Sequence, residues 1–328
     1  MNKTYILIIK KDDFDFKEIL GIPLLYYHFL RARNQNSSLF LVTDDQKYID
    51  FFNNCKLEKE ISDNCYITLS NCFEKDVKFN LTKKEALKII ESKEIKEKDF
   101  IIRTNKDFYS FRNIVKEYIN FKFIENSVDI ENISTTYIGP EVNIEKGTKI
   151  TGDTHIYGKS CIGKNNLISS SYIENTNIKD DNKILNSHIV GAMIGCKNEI
   201  GPFCRMRGKA VIDNECVLGN FVEIKSSNIK DHVKIKHLSY IGDTFIEKNV
   251  NIGCGFVTAN YDGKRKYPTT IEENVFVGCN TTIVSPVTLK ENCFIAAGSV
   301  ITKDVEKNDL AIARSRQINK TNYVKQKK

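Results

Sequence analysis

The chain has 328 residues, room for two domains, and its 41% hydrophobic and 28% charged residues describe an ordinary soluble globular protein. No apolar run approaches the roughly 20 residues that cross a bilayer, and Tyr5-Ile-Leu-Ile-Ile9 runs into Lys and Asp without a small-residue cleavage site. Membrane insertion and secretion are therefore not expected, and a cytoplasmic location is. The net charge of +7 is dispersed among acidic residues apart from the closing Lys325-Gln-Lys-Lys328. That distribution argues against nucleic acid and for a few phosphate-binding positions.

In chain order, Tyr5–Ile9, a helix entered from Gly21-Ile-Pro-Leu-Leu25, and Leu39-Phe-Leu-Val42 read as strand–helix–strand. Residues 1–128 are expected to form a small α/β domain. Ten cysteines are scattered along the chain with no C-x-x-C pair, so free and mostly buried thiols are expected, and no metal site.

From Ile138 the aliphatic pattern changes. Isoleucine recurs at Ile144, Ile150, Ile156, Ile162 and Ile168, and a short side chain tends to follow four positions later, as at Thr148, Thr154, Ser160 and Asn166. The spacing is irregular between Tyr172 and Ile194, then returns at Ile200, Met206, Ile212, Leu218 and Ile224, and again from Ile271 to Ile301. A period of six fits neither a helix nor an alternating strand. It fits a solenoid with one short strand and one turn per six residues and three sides per coil, the aliphatic residue pointing inward. Residues 129–305 are assigned to this parallel β-helix and 306–328 to a basic tail. Between Ile252 and Ile271 the repeat breaks for a loop containing Asn260-Tyr-Asp-Gly263 and Lys264-Arg-Lys266; loops on a rigid scaffold are where sites are commonly built.

Several segments then follow in order: Ile200-Gly-Pro-Phe-Cys-Arg-Met-Arg207, Gly219-Asn-Phe-Val-Glu-Ile-Lys225, His237-Leu-Ser-Tyr-Ile-Gly-Asp243, Asn249-Val-Asn-Ile-Gly253, Asn260-Tyr-Asp-Gly263, Val275-Phe-Val-Gly278, Ser285-Pro-Val287 and Ala311-Ile-Ala-Arg314. Together they resemble the acetyltransferase domain of the bifunctional UDP-N-acetylglucosamine pyrophosphorylase/glucosamine-1-phosphate N-acetyltransferase family. The resemblance implies a left-handed β-helix, assembly as a homotrimer with shared sites, and acetyl transfer from acetyl-CoA to glucosamine 1-phosphate for cell-envelope sugars. It assigns His237 as the catalytic base, a role for which imidazole is suited near neutrality. It places Arg207, Lys225, Tyr240, Asn251 and Lys266 around the sugar phosphate, and Cys254, Asn260, Tyr261, Cys279, Ala297 and Arg314 along acetyl-CoA. Cys254 and Cys279 depart from the alanine and serine more frequent there, and Gly208-Lys209 replaces a Pro-Gly turn, a change expected to shift Arg207 slightly.

The resemblance also implies an amino-terminal nucleotidyltransferase domain, but here that region is about half the usual length. Lys10-Lys-Asp-Asp-Phe-Asp-Phe16 has no glycine and three aspartates where a Gly-rich phosphate loop is needed, and Asp99-Phe-Ile-Ile102 leads into Arg103-Thr-Asn-Lys106 without a Gly-Asp pair for a metal. Uridylyl transfer is therefore not expected. Two other readings compete with the main one: a related acyltransferase with another amino-sugar acceptor, and a non-catalytic solenoid kept for oligomer formation. The intact cations argue against the first, and His237 with the Asn260-Tyr261 loop against the second.

Overall fold

The computed structural model describes residues 105–324 and four short strands nearer the amino terminus, Thr4–Ile8, Glu18–Ile19, Ile22–Pro23 and Ser38–Val42. The chain divides into two compact units, 1–115 and 116–328.

In the first unit Thr4–Ile8 and Ser38–Val42 pair in parallel, with Tyr5 beside Leu39. A parallel pair requires a crossover between its strands, which agrees with the strand–helix–strand reading. The helix expected between them, the Lys10–Phe16 segment, the Asp99–Thr104 segment, Cys55, Cys65, Cys72 and His28 lie outside the described residues, as does Lys325–Lys328.

The second unit is a left-handed parallel β-helix of about 11 coils. Its amino-terminal end is covered by the helix Asn105–Glu125 from Lys116 onward. Ile119 is buried, Lys116 Nζ donates to Ser134 O at 2.7 Å, and Asn120 Nδ2 donates to Thr136 O at 3.0 Å.

Each coil has three faces. On the first, Lys149–Thr151, Leu167–Ser169 and Lys183–Leu185 stack in register. On the second, Thr154–Tyr157 leads to Tyr172–Glu174 and His188–Val190. The third carries Asn143–Ile144, Cys161–Ile162 and Asn177–Ile178. Ile150, Ile168 and Ile184 therefore form one interior column, each fully buried. The irregular spacing between Tyr172 and Ile194 has a simple origin: Ile168 stands over Ile150 after a full coil, whereas Ile184 stands over Ile168 with two residues fewer. The residues are lost at corners, so the interior column is unbroken.

The short residues four positions after each isoleucine do more than fit beside a corner. Asn166 N donates to Thr148 Oγ1 (3.1 Å), Asn182 N to Asn166 Oδ1 (2.9 Å), Asn198 N to Asn182 Oδ1 (2.9 Å) and Cys216 N to Asn198 Oδ1 (2.8 Å). These four amides bond side-chain oxygens of the preceding coil rather than its carbonyls, and a buried unpaired amide costs about 1–3 kcal/mol; this internal polar ladder satisfies them one coil at a time.

The break after Ile252 is shorter than the aliphatic pattern suggests. Val257–Ala259 continues the second face, pairing with Tyr240 and with Thr282–Val284. The interior position there is Thr258, which is buried and whose Oγ1 accepts from Gly242 N at 2.8 Å. At the other end the last rung, Leu310–Ala311, pairs with Phe294–Ile295 and so extends past residue 305.

Ile283 is fully buried in this interior. Ile283→Asp strands a charge without a partner and should lower stability by about 3 kcal/mol or more. Thermal melting followed by circular dichroism checks this, and an unchanged transition contradicts the register described.

Candidate active site

Two unusually long strands, Val217–Lys225 and Lys234–Gly242, run continuously round the corner between the first and second faces. Their register sets Asn220 beside His237, Glu223 beside Tyr240 and Lys225 beside Gly242. One coil earlier, Arg207 lies beside Lys225. The Gly208-Lys209 turn thus leaves Arg207 in register.

Cations gather on the second face. Lys225 faces Lys266, ammonium to ammonium, and lies near Arg207. That pairing with Lys266, followed by partial desolvation and the charges of Lys266 and Arg207, holds its ammonium below the ordinary lysine range, while Asp243 pulls the other way. Arg207 donates from Nε (2.8 Å) and Nη2 (2.6 Å) to Glu223 Oε1, which aims its guanidinium. Asn260 is buried and its Nδ2 donates to Asp243 Oδ2 at 2.5 Å. The Tyr240 hydroxyl and Asn260 Nδ2 both crowd Gly242, where an added Cβ would stand 2.7 and 2.8 Å from them. Any larger residue there would displace both groups. Arg207, Lys225, Tyr240 and Lys266, four of the five residues expected around the sugar phosphate, thus come together, and Asn260, expected along acetyl-CoA, joins them.

Lys266 is delivered by the inserted loop, which closes as a small hairpin with Tyr261 opposite Lys266. Asp262 organises it. Its Oδ1 accepts from Lys264 N (2.7 Å) and Arg265 N (2.6 Å), and its Oδ2 accepts from the Tyr267 hydroxyl (2.9 Å). The amides of Arg265 and Lys264 and the Tyr267 hydroxyl keep the Asp262 carboxyl below the usual carboxylate range. Tyr261 itself is exposed, its hydroxyl donating to Gly263 O at 2.7 Å.

His237 stands apart from the other described histidines. His155 stacks on Tyr137 (4.6 Å between centroids) and bonds Asp153 and Tyr157, His188 packs on Tyr172 (4.7 Å), and His232 pairs with Glu215 (3.4 Å). His237 is exposed, and its Nδ1 lies 3.1 Å from Asn220 Oδ1. With Nδ1 donating to that oxygen, Nε2 carries the free lone pair, the form needed in a general base.

Of the residues expected along acetyl-CoA, Cys254, Cys279 and Ala297 form a column with His237. Lys234 pairs with Asn251 and Tyr240 with Val257, so Cys254 follows His237. Asn251 pairs with Phe276 and Val257 with Thr282, so Cys279 follows Cys254; Phe276 with Phe294 and Thr282 with Val300 bring Ala297 next. Arg314 lies beyond, its Cδ 3.6 Å from where a Cβ on Gly298 would be. Asn251 is not brought to the cation cluster: it sits on the first face beside Lys234 and Phe276. Sequence reasoning missed Asn220, Glu223, Asp243 and Asp262. The first two were detectable, because the offset that pairs the aliphatic columns also sets Asn220 opposite His237 and Glu223 between Arg205 and Tyr240.

The fold is a hexapeptide-repeat solenoid. The family of bacterial transferase hexapeptides (six repeats) matches residues 268–303. Over its carboxy-terminal part the chain is similar to the bifunctional protein GlmU. It is 41% identical to that of Staphylococcus haemolyticus over 212 residues, covering 64% of this chain and 47% of that protein. It is 45% identical to that of a Geobacillus species over 212 residues (64% and 46%), and 43% identical to that of Clostridium beijerinckii over 215 residues (65% and 47%). The matches fall on the carboxy-terminal part of the chain, which spans about half the length of the curated relatives it matches.

The clustered cations should bind inorganic phosphate. A bound anion favours protonated Lys225, so affinity is full at pH values below its lowered pKa and falls as pH rises through it. Lys266→Ala removes the largest cause of the shift and should move that falling limb to higher pH while weakening binding overall. Calorimetric titration with phosphate across the alkaline range checks this; a limb unmoved by Lys266→Ala contradicts the geometry.

Proposed function

We propose that the solenoid is a glucosamine-1-phosphate N-acetyltransferase that uses acetyl-CoA and forms N-acetylglucosamine 1-phosphate for cell-envelope sugar synthesis in the cytoplasm. The observation that carries this is the convergence of Arg207, Lys225 and Lys266 beside Tyr240, on the same strand as an exposed histidine with an oriented ring. The identity to GlmU over the solenoid supports it.

The acceptor's phosphate neutralises the crowded cations, and Tyr240 and Asn260 offer polar groups to the sugar. The amine attacks the thioester carbonyl while His237 Nε2 takes its proton. The tetrahedral oxyanion then collapses, the C–S bond breaks, and the imidazolium returns its proton to the departing thiolate. Acetyl-CoA lies along the Cys254, Cys279 and Ala297 column, with Tyr261 at its side and Arg314 near its phosphates.

We propose a homotrimer with sites shared between copies. Asn251, held on the first face of its own chain, is then supplied to the cation cluster of a neighbour. Exposed Phe203, Phe221 and Leu238 along the corner beside His237, the two phenyl rings stacked at 5.4 Å, support self-association there. Residues 1–128 are proposed as a reduced nucleotidyltransferase-like domain without uridylyl transfer.

The reaction is tested by acetyl-CoA-dependent acylation of glucosamine 1-phosphate against glucosamine. Charge-assisted contacts are worth about 1.5–3 kcal/mol, so Lys225→Ala should lower kcat/KM for the phosphorylated acceptor by roughly 10- to 100-fold and leave the poor rate with glucosamine almost unchanged. Equal rates for both acceptors in the wild type contradict the assignment.

A further inference from the structure

The column that carries His237 also carries two accessible thiols on successive coils. The same offset relates Asn251 to Phe276 on one side of Cys254 and Val257 to Thr282 on the other, so Cys254 and Cys279 are direct neighbours. Asn280 N donates to Cys254 O at 2.7 Å, and Gly253 N to Val277 O at 2.8 Å, bracketing the pair with inter-coil bonds. Parallel strands run roughly 4.8 Å apart, inside the roughly 4.4–6.8 Å between Cα atoms that a disulfide spans. Cys254 is half-buried and Cys279 is exposed. The other half-buried or exposed thiols among the described residues, Cys161 and Cys196, lie on different parts of the surface: Cys161 pairs with Asn143 and Asn177 on the third face, and Cys196 follows Met193–Ile194 of that face.

The remaining cysteines behave differently. Burial pushes the Cys204 thiol up to about 12, and the Cys216 and Cys293 thiols up to about 11. They are core side chains that stay protonated and shielded, whereas reactive thiols need solvent access.

We propose that Cys254 and Cys279 form a redox-modifiable dithiol that closes to an intrachain disulfide between neighbouring coils. A small-molecule disulfide such as oxidised glutathione is the oxidant. One thiolate attacks a sulfur of the glutathione disulfide, releasing one glutathione and leaving a mixed disulfide on the protein. The second thiolate displaces the other glutathione, forming the Cys254–Cys279 bond. Two protein thiols lose two protons and two electrons, and one glutathione disulfide becomes two thiols. The closure itself stands on the register. Its consequence rests on the acetyltransferase reading: the bond lies across the acetyl-CoA path next to His237, so the oxidised form loses acetyl transfer and thiol reductants restore it.

The test is peptide mapping by mass spectrometry of the full chain after equilibration with oxidised glutathione, with Cys254→Ser, Cys279→Ser and Cys161→Ser alongside. The proposal expects a linked Cys254–Cys279 peptide in the wild type and in Cys161→Ser, and a persistent glutathione adduct on the remaining partner in each of the other two variants. Two unlinked, separately glutathionylated cysteines in the wild type, or neither modified, overturn it. Acetyl-CoA should also protect both thiols from N-ethylmaleimide. A linked peptide forming without any such protection retains the dithiol and overturns the placement of acetyl-CoA, so the two ideas fail separately.

Discussion

Every functional group in the solenoid is placed by inter-coil register, and register is held by the interior aliphatic columns. Ile150, Ile168 and Ile184 stack without a gap although their coils differ in length. Slipping one residue would turn an isoleucine outward and a polar neighbour inward, at about 1.5–3 kcal/mol for the lost burial alone. Because each coil is pinned this way, an outward residue such as His237 has a fixed neighbour above and below. The site is thus assembled from short strands whose own conformations are simple, and its accuracy comes from stacking.

The inward amides at the corners are the weak point of such a design, since they bond no carbonyl of the preceding coil. The Thr148, Asn166, Asn182 and Asn198 sequence answers this from inside the prism. At the corner that carries His237 another solution is used: the strands Val217–Lys225 and Lys234–Gly242 continue through the bend. That continuity joins His237 to Tyr240 and the cation cluster beyond the bend. Electrostatics then shape the cluster. Arg207 is steered by Glu223, Asn260 by Asp243, and the Lys266 hairpin by Asp262, so three carboxylates orient the groups of the cluster.

Much of this was legible in the amino-acid sequence because a period of six exposes both fold and spacing. The interior isoleucines, the corner residues and the ordered segments from Ile200 to Arg314 led to the β-helix and to His237, Arg207, Lys225, Tyr240 and Lys266. What escaped has physical reasons. Thr258 fills an interior position with a polar side chain, which a search for aliphatic residues reads as a break. Asn220 and Asp243 act on residues 17 positions away, a distance that means contact only once coil length is known. Asn251 matched its segment, yet the fold places it on a face away from the cation cluster of its own chain. The meaning of Cys254 and Cys279 was equally hidden, because separation in sequence conceals that the loop between them leaves them adjacent.

One continuous strand, Lys234–Gly242, carries both the proposed proton acceptor His237 and Tyr240 at the edge of the proposed anion site. Thiol release from acetyl-CoA in the presence of glucosamine 1-phosphate, compared between the wild type and His237→Ala, tests this arrangement most directly when acceptor binding is measured on the same samples. The account predicts acceptor-dependent release that falls by about 100-fold or more in His237→Ala, within the usual range for loss of a general base, while the acceptor still binds. Undiminished release in His237→Ala would contradict it.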